Sequence, residues 1–513
     1  MKKRILCGIL CLFLLLSLTG CSSWDDSSQF DALSEYYQNE NKAPEPELTD
    51  FVLPYCATET LDPITCSDGF QLTLTSLLYE GLYELDKTWT AHPLLAGSYH
   101  YDPESFTYTI KLRDDARFSD GSSVSAYDVV TTLERARTST RYGARFALVD
   151  AMDYEGDTVT VTLKENNRLF TALLDIPIVK AGTEGRSVPT GTGPYVISRD
   201  DGGSCLIHNE NWWQSKTLPF SRIALLSYNN QESAAYAFSA RDVQLAFCDL
   251  TATNTTAITG SGNVTDVGTS ILHYIGFNTA NTLFADPQVR CALSLAIERD
   301  TLVDAYLLGH AGSAQFPLSP DSAIYPADLE QITSADTFSQ AMTDLGLHDK
   351  TEMHYVTMIV NSENPFKVSM AHAIAKAMST SDIQVNVSVL PWEEFLQALE
   401  NREFDLYYGE VKMTADWDSS SLICPGGSLN YGGFSDPELD LCMLNYLTSG
   451  EAKREDTMRS LCLRFQKDMP IIPLCFTNRS LLLSPGAVDN VSPTAGNPFY
   501  GLENWEVHIK GIS

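Results

Sequence analysis

The sequence predicts an α/β protein built as two or three lobes, and three observations lead there. Residues 355 to 409 alternate strand and helix in a βαβαβ order, which folds as a parallel sheet with helices on its faces. The 492 residues after Cys21 exceed the length at which a single core usually divides. Hydrophobic content of 44% with 10% aromatics is that of folded globular material, not of a disordered chain.

Taken in order, the chain opens on Lys2-Lys3-Arg4, the apolar run Ile5 to Leu16, and then Leu18-Thr19-Gly20-Cys21. A basic start, an apolar stretch and a small residue before the cut are the parts of a secretory signal. The run is shorter than the ~20 apolar residues a membrane span needs. Leu-x-Gly-Cys at this place resembles the bacterial lipobox. That resemblance implies cleavage before Cys21, an acyl (diacylglycerol and palmitate-type) anchor on Cys21, and a protein held on the extracytoplasmic face of the cell membrane. The competing reading is an ordinary secretory signal in which Cys21 is incidental. Residues 22–48, rich in Ser, Asp, Glu and Asn, read as a flexible tether.

Formal net charge is −32, and the leader removes three basic and no acidic residues, so the remainder is near −35. Such a chain repels nucleic acid and anionic headgroups. Nine cysteines follow Cys21, an odd number, with no Cys-x-x-Cys and no Cys/His cluster at metal-ligand spacing. No metal and no cofactor is therefore expected. Cys56 and Cys66 are the candidate disulfide, whereas Cys291 and Cys462 sit in apolar helical patterns as small core residues.

Folded sequence starts at Phe51. Leu74, Leu77 and Leu78 share one helical face, and the pattern stops at Gly81. Phe106, Tyr108, Ile110 and Leu112 alternate as a strand, as do Val159, Val161 and Leu163. Ser125 with Asp128 forms a capping-box pattern for a helix through Ala136. Thr-Gly-Thr-Gly-Pro-Tyr over 190–195 is a loop leading into a strand; it lacks dinucleotide-loop spacing, so phosphate cradling is rejected. Trp212-Trp213 reads as packing. Asp286-Pro287 starts the clearest helix, and Asp300 is expected to cap a second one ending at Gly309. Trp392 reads as helix core, and His372 as a remote cleft candidate. Met458, Leu461, Cys462 and Phe465 mark a last amphipathic helix.

In this order, Leu78-Tyr79-Glu80-Gly81-Leu82, Leu112-Arg113-Asp114, Phe118-Ser119-Asp120-Gly121, Ala126-Tyr127-Asp128-Val129-Val130, Gly191-Thr192-Gly193-Pro194-Tyr195, Phe277-Asn278-Thr279 and Val289 through Asp300 resemble the family 5 extracellular solute-binding proteins of ABC importers. These include oligopeptide-, dipeptide- and nickel-binding proteins. The resemblance implies a two-lobed periplasmic-binding-protein-like α/β fold with an additional domain inserted near the N-terminus. It places lobe I over 49–74, 179–270 and 486–513, the inserted domain over 75–178, and lobe II over 271–485. Ligand would lie between the lobes, which close by a hinge.

In peptide-binding relatives an aspartate of the second lobe holds the ammonium group, and the matching residue here is Asp416. Trp417 would supply a wall or a cation–π face, Asp418 is a further candidate contact, and Asn430 and Tyr431 stand on a Gly-rich loop where the family often places residues near the ligand. The alternative makes Asp416 and Asp418 structural turn residues before Ser419-Ser420-Ser421. Lys412-Met413 stands where the family often has Gly-Trp, so the cargo can differ from simple peptides.

The implied function is a monomeric, lipid-anchored, non-enzymatic binding protein that hands a peptide or similar small solute to an ABC permease and ATPase. A peptide-sensing surface receptor is the alternative. A secreted hydrolase is a lesser one, because His-Glu-x-x-His and Gly-x-Ser-x-Gly are missing.

Overall fold

The computed structural model describes residues 48–252, 262–349 and 352–509. The leader, Cys21 and the tether up to residue 47 lie outside the described residues. The chain enters its first sheet at β1 (Val52–Tyr55) and then forms α1 (Gly69–Leu78). Asp68 caps α1 by accepting from the amides of Phe70 and Gln71. The helix ends at Leu78 and not at Gly81, because Tyr79 is already extended.

A short hairpin, β2 (Tyr83–Leu85) and β3 (Ala91–Pro93), leads into β4 (Ala96–Asp102) and β5 (Thr107–Leu112). Next comes α2 (Ala126–Arg137), where Ser125 and Asp128 make the reciprocal box expected of them. β6 (Val149–Glu155) and β7 (Thr158–Leu163) complete an antiparallel sheet of order β4-β5-β7-β6. Period-2 alternation is realised here: Tyr108, Ile110, Val159 and Val161 are fully buried, and α2 packs Val129 and Leu133 against them. β8 (Tyr195–Asp200), β9 (Gly203–His208) and β10 (Arg222–Ser227) join β1 in the order β1-β10-β9-β8.

After α3 (Gln231–Ser239) and β11 (Leu245–Cys248), the chain runs through the fifteen-residue β12 (Asn263–Phe277). α4 (Pro287–Leu295) and α5 (Arg299–Leu307) precede β13 (Ala311–Ser313) and α6 (Ala335–Asp344). Then β14 (His354–Asn361), α7 (Pro365–Met378), β15 (Ile383–Leu390), α8 (Trp392–Asn401) and β16 (Leu406–Lys412) form the expected alternation, with β14 parallel to both β15 and β16. α9 (Pro437–Thr448) and α10 (Arg454–Asp468) lead to β17 (Ile471–Leu483), and a two-residue pair, β18 (Val488–Asp489) and β19 (Glu506–Val507), closes the described chain. The main sheet has the order β11-β17-β12-β16-β14-β15, with β13 on β17.

β12 and β17 pair along almost their whole length, interrupted by bulges at Gly268/Leu272 and His273/Tyr274. Pro473, which has no N–H to donate, sits opposite Tyr274 at the second bulge, where the ladder is already broken. Two buried arginines clamp this region by donating to neutral oxygens. Arg290 donates to the carbonyls of Met469 and Phe284, and Arg299 to the carbonyl of Pro473 and the Ser294 hydroxyl. Burial pushes the Arg299 guanidinium down to about 10.

Four sequence expectations are corrected. Asp300 lies in the first turn of α5, whose N-cap position, Glu298, makes no side-chain cap bond, and its carboxylate accepts from Ser313 instead. Trp392 is exposed at the start of α8, stacked only on Phe395, because the helix's apolar stripe begins one turn later. Cys56 and Cys66 are both free: one sulfur meets the Thr58 hydroxyl, the other donates to the Asp68 carbonyl. Cys291 is only half buried, its thiol donating to the carbonyl of Gln466, whereas Cys462 is core as expected.

Candidate binding cleft

Three sequence motifs converge to build one side of a cleft. Glu80, just past α1, is a buried carboxylate that accepts from the indoles of Trp212 at 3.0 Å and Trp213 at 2.7 Å and from Gln214 at 2.8 Å. Burial pushes its carboxyl above the usual range, against these three donors. Gly193 donates its amide to the Leu78 carbonyl at 2.9 Å, and a side chain there would lie 2.5–2.6 Å from the Leu77 and Leu78 backbone. The Thr-Gly-Thr-Gly-Pro-Tyr loop is therefore glycine-rich so that it can pass the end of α1 backbone to backbone.

Between these elements lies a cavity of about 740 Å³, within the range of small-molecule sites. It is walled by the β2–β3 hairpin, residues 141–145, 212–218, the middle of β12 (residues 265–271), residues 412–415 after β16, Arg479 of β17 and the segment 491–503. Trp89 enters from the hairpin turn. Asp86 holds that turn through the amides of Thr88 and Thr90 and through the imidazole of His92 at 2.8 Å. Although burial pulls its carboxyl upward, those bonds win and leave it below the ordinary value. Trp89 meets Trp417 edge to face at 5.1 Å, and Trp417 in turn meets Phe476 at 5.9 Å. Both tryptophans have left-handed backbones, at φ 65° and 55°. The Tyr83 hydroxyl lines the cavity and is buried without a hydrogen-bond partner among the described residues.

The five sequence candidates fall elsewhere. Asp416 is 3% exposed and stands behind the wall made by Thr414 and Ala415. Its carboxylate accepts from the Asn167 amide at 2.9 Å and the Thr414 hydroxyl at 2.6 Å, and its carbonyl accepts from Tyr446. Burial first, and then the charge of Asp418, pushes the Asp416 carboxyl up. Trp417 is its buried neighbour and reaches the cavity only through Trp89. Asp418 accepts from the Ser420 amide, and Asn430 is spent on Cys424 and Phe434. Tyr431 packs on Tyr407 at 6.0 Å. His372 is exposed on α7 and is not among the residues lining the cavity.

Sequence reasoning missed the charged wall. Arg141, Arg145, Lys412 and Arg479 all line the cavity. Arg145 pairs with Asp175; Arg141 donates to the Cys66 carbonyl and Arg479 to that of Phe247, over whose ring it stacks at 3.9 Å. These residues come from three distant stretches, and no local pattern announced them. Among the described residues no group of His, Cys, Asp or Glu side chains could hold a metal ion.

Residues 90–430 match the family model of the bacterial extracellular solute-binding proteins, family 5 (middle region). The chain belongs to this family. Among family 5 relatives, the glutathione-binding protein GsiB of Shigella flexneri serotype 5b is 28% identical over 284 residues, 52% of this chain and 55% of that protein. GsiB of Pectobacterium atrosepticum is 24% identical over 446 residues, 80% of this chain and 85% of its own length. The chain spans about half the length of the first relatives it matches. In fold, the nickel ABC transporter structure from Bacillus halodurans superimposes with a TM-score of 0.73 at 20% identity, covering 88% of this chain and 98% of that one. The murein tripeptide binding protein MppA in its unliganded open form gives 0.74 at 18% identity, covering 90% and 99%. The two-lobed α/β fold of the family 5 binding proteins is thus the fold of this chain. No helix among the described residues is long and apolar enough to cross a membrane.

Proposed function

We propose that this family 5 protein captures a peptide or similar small solute in the cavity between β2–β3, β12 and the 491–503 segment, and hands it to an ABC permease. The observation that carries this is a cavity of about 740 Å³ at the place where the motifs of Glu80 and Gly193 converge. Its mixed polar and aromatic wall suits a solute with both kinds of group. The division into lobe I (49–74, 179–270, 486–513), an insert (75–178) and lobe II (271–485) belongs to the same proposal. β12 would then be the strand that crosses from lobe I to lobe II, and its bulge at Gly268/Leu272 against β17 would be the natural hinge.

Anchoring through an acylated Cys21, on the extracytoplasmic face, completes the reading: a tethered binder keeps its cargo near the permease. Asp416 meets an ammonium group in this proposal only in a closed form, after the bonds from Asn167 and Thr414 open. Native mass spectrometry of protein recovered from its own cells tests the proposal. A retained small solute, displaced by added peptides, is the expected result; protein that retains nothing and binds no member of a peptide library would refute it.

A further inference from the structure

We propose that the solute is acidic, carrying at least two carboxylate or phosphate groups that seat against Arg141, Arg145, Lys412 and Arg479. This rests on the reading of the cavity as the solute site and narrows what the site takes. The four side chains line one recess, and among the described residues the one carboxylate of its wall paired with them is Asp175, on Arg145, while Asp249 acts on Arg479 from outside the wall. Lys412 is open to the recess and has no hydrogen-bond or ion-pair partner among the described residues. Arg141 and Arg479 each spend one N–H on a backbone carbonyl, leaving the rest of a five-donor fork to the cavity.

Desolvation, followed by repulsion from Arg145 and Arg141, pushes the Lys412 ammonium down. Burial does the same to Arg479, down to about 10, with Arg141 adding to it. Like charges held together in a recess are costly unless something of opposite sign arrives. Among the described residues Asp175, paired with Arg145 and near Lys412, and Asp249, near Arg479, offset only part of that cost.

Seven carboxylates also line the cavity, yet they do not answer the cluster beyond Asp175. Asp266 is taken by His310 and Ser480, Asp86 by His92, Glu503 by Lys216, Glu84 by Asn497, and Glu80 by its indoles. Asp321 is pushed up by burial, toward its neutral form. A chain of net charge −32 that nevertheless gathers four cations in one recess places them where an anionic group must be met at contact.

Isothermal titration of the full chain with Ala-Glu-Glu, its isostere Ala-Gln-Gln, Ala-phosphoserine and tricarballylate tests the inference. Ala-Glu-Glu should bind about tenfold or more tightly than Ala-Gln-Gln, and K412Q and R141Q should each remove most of that preference. A stronger response to Ala-phosphoserine would name phosphate as the preferred group within the same inference. Equal affinity for the two isosteres, or preference for Ala-Gln-Gln, overturns it and leaves the peptide reading standing. Binding of tricarballylate without any peptide keeps the acidic solute and removes the peptide. Silence of all four probes overturns the inference of an acidic solute.

Discussion

Asn167, just after β7, donates its side-chain amide to the carboxylate of Asp416, 249 residues away, at 2.9 Å. The carboxylate expected at a ligand's ammonium group is thereby used to pin two distant stretches together. Both groups are buried, so removing either leaves its partner without a hydrogen bond in a low-dielectric setting. D416A should cost about 2–4 kcal/mol in urea unfolding, since the amide of Asn167 and the hydroxyl of Thr414 both lose their acceptor. N167A and the double variant complete a cycle whose coupling should be on the order of 1–3 kcal/mol. Strictly additive losses would show that the contact does not carry the stability assigned to it.

Glu80 is the joint between α1, the glycine-rich loop and the Trp212-Trp213 segment. Its replacement by Ala strands three half-buried donors at once. E80A should lose about 3 kcal/mol or more, and the emission of the freed tryptophans should shift to the red. E80Q retains one acceptor oxygen and should lie between wild type and E80A. An E80A protein with unchanged midpoint and emission would remove Glu80 from this role.

His273 lies fully enclosed in β12, its Nδ1 against the Tyr408 hydroxyl at 2.8 Å, with Glu410 at 3.4 Å and Lys367 paired to the same carboxylate. Burial pushes its pKa down to about 4, although Glu410 pulls the other way. The folded protein therefore holds this imidazole neutral, while the unfolded chain takes up a proton near the ordinary histidine value of ~6.5. The stabilising contribution is complete above that value and is lost as pH falls through about 4. The stability gap between wild type and H273Q should shrink by up to about 3 kcal/mol between pH 7 and pH 4. A gap that stays constant across that window would show the imidazole to be charged in the fold.

Periodicity found the elements that stand on local rules. α2 with its Ser125–Asp128 box, β5 and β7 with alternating side chains, and the β14-α7-β15-α8-β16 alternation each carry their signal within about ten residues. β12 and β17 gave no comparable signal, because strands buried on both faces lose the alternation and Pro473 argues against a strand wherever no bulge is foreseen. The site divided along the same line. Glu80 and Gly193 stood inside recognisable motifs, whereas Arg141, Arg145, Lys412 and Arg479 meet only through tertiary folding. Asp416 was singled out by the resemblance, yet its burial behind Thr414 and its bond to Asn167 depend on contacts that no linear pattern records.

Thr269 joins the bulge in β12 to β17 at the rear of the cavity. Its hydroxyl donates to the Thr477 carbonyl at 2.7 Å and accepts from the Ile271 amide at 3.1 Å, inside the stretch where the ladder between Gly268 and Leu272 is broken. These bonds take the place of the missing ladder and fix how the two long strands cross. T269V keeps the shape and removes the hydroxyl, leaving one buried donor and one acceptor unmet, which should cost about 1–3 kcal/mol. Because the bulge alone would loosen, amide exchange should accelerate at 268–272 and 475–479 well before it does in β14 or β15. Uniform acceleration across the main sheet would mean that Thr269 supports the sheet as a whole, and would remove the case for a hinge at this bulge.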